Sequence, residues 1–454
     1  MWINTSHLPL KGLLCILLLN INILNAQQDQ KIGTITSINR NGLTIVRVIT
    51  HATTCPSLRV DNQKQAMNVR VNAYDGTLAK NKPAVFPELV CELTLPASIQ
   101  QVSLENKVLP KVISEPKKIV LLGDTGCRMK APDEFQSCEN ALLWPLAKVA
   151  VSAAAEKPDL VIHVGDYHYR ESECSTPGCK KSPYGYGFDT WNADFFEPMQ
   201  PLLEAAPWVF TRGNHESCQR AGQGWFRYLD PDPFDIERAC FTKNSVASEF
   251  SSPYAVSLGP DQQLIIFDSS NASEKLTKDS DHLIRSYQDQ FKEVAKLAEK
   301  KPKNWLVVHH PLLGYGYLPN AGFEGGNVTL IKSLEAGKYE NFVPKNIQLA
   351  LQGHIHTFEL NSFEKNVPIS LITGFGGSLL EPPFTESLPI NFEMAKGIST
   401  VESLSSQNYG YTTLEKIENG WELKQKDMNG KTHLTCHLEL NSSPEKFSCK
   451  PNNE

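Results

Sequence analysis

A chain of 454 residues with 41% hydrophobic and 21% charged residues is neither disordered nor fibrous, and it holds enough apolar side chain for a sizeable core. Its formal charge of -6 lacks the basic footprint of a nucleic-acid binder, so no nucleic-acid partner is expected.

The first element is residues 1–26, where Lys11 precedes an apolar run from Gly12 to Leu19 and small Ala26 closes the segment. This pattern predicts a secretory signal peptide. Asn20, Asn22 and Asn25 interrupt the segment, and its run falls short of the ~20 apolar residues of a membrane helix. No stable span is expected after cleavage, and the expected location is secreted, periplasmic or otherwise extracytoplasmic. Cysteine usage agrees, because 11 less Cys15 leaves 10, an even number for an oxidising compartment. Cys174 with Cys179, Cys218 with Cys240 and Cys436 with Cys449 are the sequence-local candidate disulfides.

Residues 27–115 show short β-branched stretches such as 42–50 and 67–73, punctuated by Asn, Gly and Pro, and predict a small N-terminal all-β domain. After Pro116 apolar strands alternate with loops and helices. Strands are predicted at 118–122, 160–164, 208–211, 264–267, 305–308, 349–351 and 369–372. Helices are predicted over 134–156, kinked by Pro145, and over 281–300, stopped by Pro302. Residues 408–450 return to strand-like alternation, with hairpin-turn signals at Asn419-Gly420 and Asn429-Gly430. The fold class is α/β, with a catalytic domain over 116–454 that includes this C-terminal hairpin segment.

Five segments at predicted strand ends carry metal-binding side chains: Gly123-Asp124-Thr125-Gly126, Gly165-Asp166-Tyr167-His168-Tyr169, Gly213-Asn214-His215-Glu216, His309-His310-Pro311 and Gly353-His354-Ile355-His356. Open α/β sheets place ligands at such ends, and the glycines fit sharp turns that aim a side chain back over the sheet edge. One Gly-Asp pair is more often only a turn; five motifs in series point to a single centre. Two metals ~3.5 to 4 Å apart need a shared ligand, and the Asp166 carboxylate is the candidate bridge. Asn214 offers an amide oxygen, and His309, His354 and His356 offer imidazole nitrogens suited to iron or zinc. His163, inside an apolar strand, reads as a core residue, and Asp268 reads as structural. Residues 182–188 and 314–323, with Tyr184, Tyr186, Tyr315 and Tyr317, are candidates for the pocket rim.

The five segments resemble the signature of the calcineurin-like metallophosphoesterases, and specifically of their purple acid phosphatase branch: GDxG, GDxxY, GNH with an acidic residue, VxxH and GHxH. The resemblance spans roughly residues 116–400. It implies a β-sandwich flanked by helices and a secreted binuclear acid phosphatase that hydrolyses phosphomonoesters by attack of a metal-activated hydroxide. Most relatives carry histidine where this chain has Gly126, and Tyr169 makes up the missing donor as a phenolate suited to Fe(III). Carried over residue by residue, Asp124, Asp166, Tyr169 and His356 hold the ferric ion, while Asp166, Asn214, His309 and His354 hold a second divalent metal, Fe, Zn or Mn. Literal VxxH spacing selects His310, but His-x-Pro spacing selects His309, which is preferred; His310 is then a candidate for contacting substrate. His215 is expected to contact the phosphoryl group or protonate the leaving oxygen. Two other readings stay open: a phosphodiesterase acting on nucleotides or lipid head groups, and a cell-envelope binding protein with a vestigial metal centre.

Overall fold

Period-two alternation divides the apolar side chains of the strands between two layers of core. In Lys118–Leu122, Ile119 and Leu121 pack with Ile162, Val307 and Leu351, whereas Val120 and Leu122 pack with Val149, Trp191 and Trp225. The computed structural model describes residues 31–74, 84–132, 134–241, 246–277, 280–318, 322–381 and 393–452; the expected signal segment lies outside them. Among the described residues, an eleven-stranded and an eight-stranded sheet face each other across the first of these clusters. Helices Leu146–Ala155 and Gly222–Tyr228 cover the outer face of the larger sheet, and Ser280–Ala298 and Val328–Gly337 cover the smaller. The expected β-sandwich flanked by helices is the observed fold.

Each predicted strand is present, with small differences at its ends: Lys118–Leu122, Leu160–His163, Trp208–Phe210, Gln262–Phe267, Lys303–Val308, Ile347–Gln352 and Ile369–Thr373. The first three pair in parallel in the larger sheet and the last four in the smaller, so the motif-bearing ends lie along one rim of the sandwich. Gly410–Ile417, Gly420–Asp427 and Thr432–Glu439 form the expected C-terminal hairpins.

The N-terminal strands form an all-β region, with a four-stranded sheet of its own. Its strand Lys31–Ile38 also continues the larger sheet beside Trp208–Phe210.

One predicted element is different. Helix 134–156 begins only at Leu146, because Pro145 starts it rather than kinking it. Upstream, Met129–Lys130 and Glu134–Phe135 pair as a short hairpin, and a disulfide between Cys127 and Cys138 closes the segment. The disulfide holds Cys127 and Cys138 5.7 Å apart at Cα, and Glu134 and Phe135, the expected first residues of the helix, are in the paired strand. The three sequence-local cysteine pairs are bonded as expected, and Cys55–Cys91 completes a set of five. Among the described residues no helix is long and apolar enough to cross a membrane.

Candidate metal centre

Three of the residues that enter the centre sit in left-handed backbone: Asp124 (φ 55), Asp166 (φ 59) and His354 (φ 70). Each follows a glycine, and the turn swings its side chain back across the strand end. Non-glycine residues pay strain of ~1–3 kcal/mol for such conformations, so the surrounding structure must hold them. Much of that hold comes from Glu216, whose carboxylate accepts from the backbone N–H groups of Asp166, Tyr167, His168 and Gly213 at 2.9–3.3 Å. Asp194 does the same for Cys127, Tyr169 and Arg170 and is paired with the Arg170 guanidinium at 2.6 Å.

The result is two donor groups meeting at one carboxylate. Tyr169 Oη lies 3.0 Å from Asp124 Oδ1, 2.9 Å from Asp166 Oδ2 and 2.8 Å from His356 Nε2. On the other side, Asp166 Oδ2 is 3.2 Å from His309 Nε2, and Asn214 Oδ1 is 2.9 Å from His309 Nε2 and 3.1 Å from His354 Nδ1. The ring tautomers are set from behind: Nδ1–H of His309 donates to Val164 O and that of His356 to Leu379 O, which turns each Nε2 lone pair inward. Burial, then the nearby Arg128 charge, pushes His356 down to about 3, so the ring is a neutral donor.

This donor set fits a cation. Burial and the neighbouring Asp166 carboxylate hold the Asp124 carboxyl well above its ordinary range, and burial with both carboxylates does the same to the Tyr169 phenol. A hard multivalent cation would displace those protons. The Asn214 amide oxygen likewise faces lone-pair atoms of His309, His354 and Asp166, an arrangement a shared cation satisfies.

Other expected residues lie elsewhere. The His215 ring lies tilted at 38° against the Tyr169 ring with centroids 3.9 Å apart; its Nδ1 is 2.9 Å from His168 O and 3.0 Å from Glu171 Oε1, and its Nε2 is 2.8 Å from Arg220 Nη2. His310 is buried behind His354, 3.0 Å from Ser269 Oγ, and it does not line the cavity over the centre. Tyr186 and Tyr315 are buried too, and Tyr184 packs beside the Cys127–Cys138 cluster, so none of the three lines that cavity; the Tyr317 side chain is outside the described residues. His163 is core, 3.1 Å from Thr125 Oγ1, and Asp268 pairs with Arg212 at 3.3 Å, both as expected.

The cavity, about 670 Å³, exposes Asp166, Tyr169, Asn214, His215, His354 and His356. Arg128, Lys130, Glu134, Arg220, Glu274 and Glu381 share the wall, and none of these was singled out from sequence. Glu274 Oε1 reaches His354 Nε2 at 2.5 Å. A lone Arg or Glu in a loop carries no spacing signal; only the disulfide-bonded Cys218 two residues before Arg220 hinted that this loop is held.

No curated protein matches the chain in sequence. Among solved structures, a purple acid phosphatase from seeds of yellow lupin (Lupinus luteus) is similar with a TM-score of 0.55 at 15% identity, covering 89% of this chain and 73% of the lupin chain. A structure of PhoD is similar with a TM-score of 0.49 at 9% identity, covering 91% of each chain. The first likeness is one of fold. The family model for the calcineurin-like phosphoesterase matches residues 117–358, more than half of the chain and all five motifs. This chain belongs to the calcineurin-like phosphoesterase family.

Proposed function

We propose that the protein is a secreted acid phosphatase of the purple acid phosphatase type, hydrolysing phosphomonoesters at a centre of Fe(III) and a second divalent metal. The observation that carries this reading is the Asp166 carboxylate, whose Oδ2 is 2.9 Å from the Tyr169 phenol on one side and 3.2 Å from His309 on the other. A carboxylate between two donor groups, one with a phenol and one with imidazoles and an amide, suits a hard trivalent ion beside a softer divalent one.

Asp124, Tyr169 and His356 are proposed for the ferric ion, Asn214, His309 and His354 for the divalent ion, and Asp166 for both. Metals at such sites polarise a phosphoester oxygen and make water a nucleophile near neutral pH. The chain's own part is to fix these donors, hold the His356 imidazole neutral and keep His215 in the cavity wall beside Arg220. With His310 buried behind His354, no substrate contact is proposed for it. Five disulfides suit an oxidising compartment and support export.

The test is metal analysis with a visible spectrum on purified protein, followed by matched turnover of an aryl phosphate monoester and its diester. Two metals per chain, absorbance in the purple region and faster monoester turnover at acid pH are expected. A metal-replete, colourless protein releasing no phosphate would end this reading.

A further inference from the structure

Among the described residues, Arg220 is the one guanidinium in the cavity wall that touches both His215 and Asn214. Its Nη2 is 2.8 Å from His215 Nε2, its Nε pairs with Glu171 Oε1 at 2.5 Å, and its Nη1 lies 2.9 Å from the amide nitrogen of Asn214. The last contact is the informative one. With the Asn214 oxygen turned toward His309 and His354, the orientation a metal ligand needs, two N–H donors face each other with no acceptor between them. Reversing the amide would pair it with Arg220, but it would then aim N–H groups at His309, His354 and Asp166 and spoil the donor set. Both demands are met at once by an acceptor oxygen shared by Arg220 and Asn214, and the guanidinium charge favours an anionic one.

The arginine is well braced for that task. Its side chain is 22% exposed, and it lines the cavity while Glu171, 10% exposed, holds it from behind. The Cys218–Cys240 disulfide pins its loop. His215 cannot serve as the main donor here, because its Nδ1–H is directed at His168 O and Glu171 and its Nε2 accepts from Arg220.

We propose that Arg220, with the Asn214 amide N–H, binds a non-bridging phosphoryl oxygen of substrate, and that His215 is a positioning residue for the Arg220 guanidinium. The arginine then stabilises charge on the phosphoryl oxygens as the leaving oxygen departs. This deepens the proposed function and rests on its phosphate-binding centre.

The experiment titrates inorganic phosphate into metal-loaded wild type, Arg220→Met and Arg220→Lys by calorimetry, with metal content and KM for an aryl phosphate measured on the same samples. Arg220→Met should keep its metals while phosphate Kd and KM rise by ~10 to 100-fold, as for loss of a hydrogen bond to a charged group. Arg220→Lys, which keeps the charge without the fork, should fall between. Phosphate affinity within threefold of wild type in Arg220→Met would overturn the proposal, as would weaker phosphate binding that merely tracks metal loss. Should Arg220→Met fail to fold, unchanged Kd and KM in Arg220→Lys overturns it and a clear rise supports it. Phosphate titration does not need turnover, so a chain that binds phosphate through Arg220 but hydrolyses no monoester would remove the function above and leave this site.

Discussion

Asp166 and Tyr169 illustrate how much a single side chain carries in this protein. Because Asp166 stands between both donor groups, Asp166→Ala should leave less than one tightly held metal per chain. Hydrolysis should fall by more than the ~10 to 100-fold typical of losing an outer partner of a metal ligand. Elemental analysis beside an activity assay reads both; a variant that kept two metals would show that the bridge is elsewhere. Tyr169→Phe should keep the fold and lose the visible band that the proposed ferric phenolate would give, and retained colour would show that Tyr169 is not its source. A different residue sets a pH dependence away from the centre. Glu359 is buried, with Oε2 accepting from Tyr315 N–H and Asn361 Nδ2 and Oε1 without a partner. Burial raises its carboxyl to about 8. A carboxyl raised above its unfolded value supports the fold fully below the unfolded value, and that support is lost as pH rises through the folded one. Stability should therefore decline from about pH 4.5 towards pH 8, by on the order of 1 kcal/mol per pH unit at most, and Glu359→Gln should flatten the decline. Thermal melts from pH 5 to 8 check this; parallel curves for both proteins would refute it.

At the scale of elements, the loops matter more than the strands that end in them. Gly213 has extended backbone (φ -93), so glycine is required there by crowding and not by conformational freedom. An added Cβ would overlap Asp166 Oδ1 and the Asp166 backbone nitrogen. Gly213→Ala should thus displace the Asp166 carboxylate and its backbone, cost on the order of 100-fold in kcat/KM and lower the melting temperature. A large loss of melting temperature at full activity would contradict it. The strands and their terminal motifs were legible because uninterrupted apolar runs and Gly-x patterns are local signals, and Gly123-Asp124 or Gly353-His354 can be read without a partner. What was not legible depended on distant partners. Residues 134–144 carry helix-compatible composition, but the Cys127–Cys138 bond and the Gln136 side chain, which bonds Leu143 O and Gly377 O, impose a different path. Arg220, Glu171 and Asp194 were invisible for the same reason, since their roles exist only once two loops meet.

The whole molecule is organised so that the N-terminal strands brace the element behind the centre. Helix Gly222–Tyr228, which directly follows the Arg220 loop, ends with carbonyl groups that no helical N–H satisfies. Arg47, on strand Thr44–Thr50, donates to Tyr228 O and Asp230 O, and Arg70, on strand Asn68–Val71, donates to Phe226 O, Arg227 O, Asp230 O and Asp232 O. Both guanidinium groups are almost fully buried, and both share one carboxylate, Glu92 Oε2, at 2.7 and 2.8 Å. Burial, then the adjacent Arg47 charge, lowers Arg70 to about 10, and the Glu92 carboxylate opposes that shift. Removing it would leave two buried like charges, a change that costs about 3–5 kcal/mol for a broken buried pair. Glu92→Gln should therefore lower stability by that amount. Because the clamp crosses from N-terminal strands to the helix beside the centre, unfolding of the N-terminal region and loss of the centre should occur in one transition. Denaturant unfolding followed by tryptophan fluorescence and by metal release reads both events. Coincident midpoints that shift together in Glu92→Gln are the expected result. A centre that kept its metals after the fluorescence transition would mean that the N-terminal strands are a separate unit and that Glu92 serves only them.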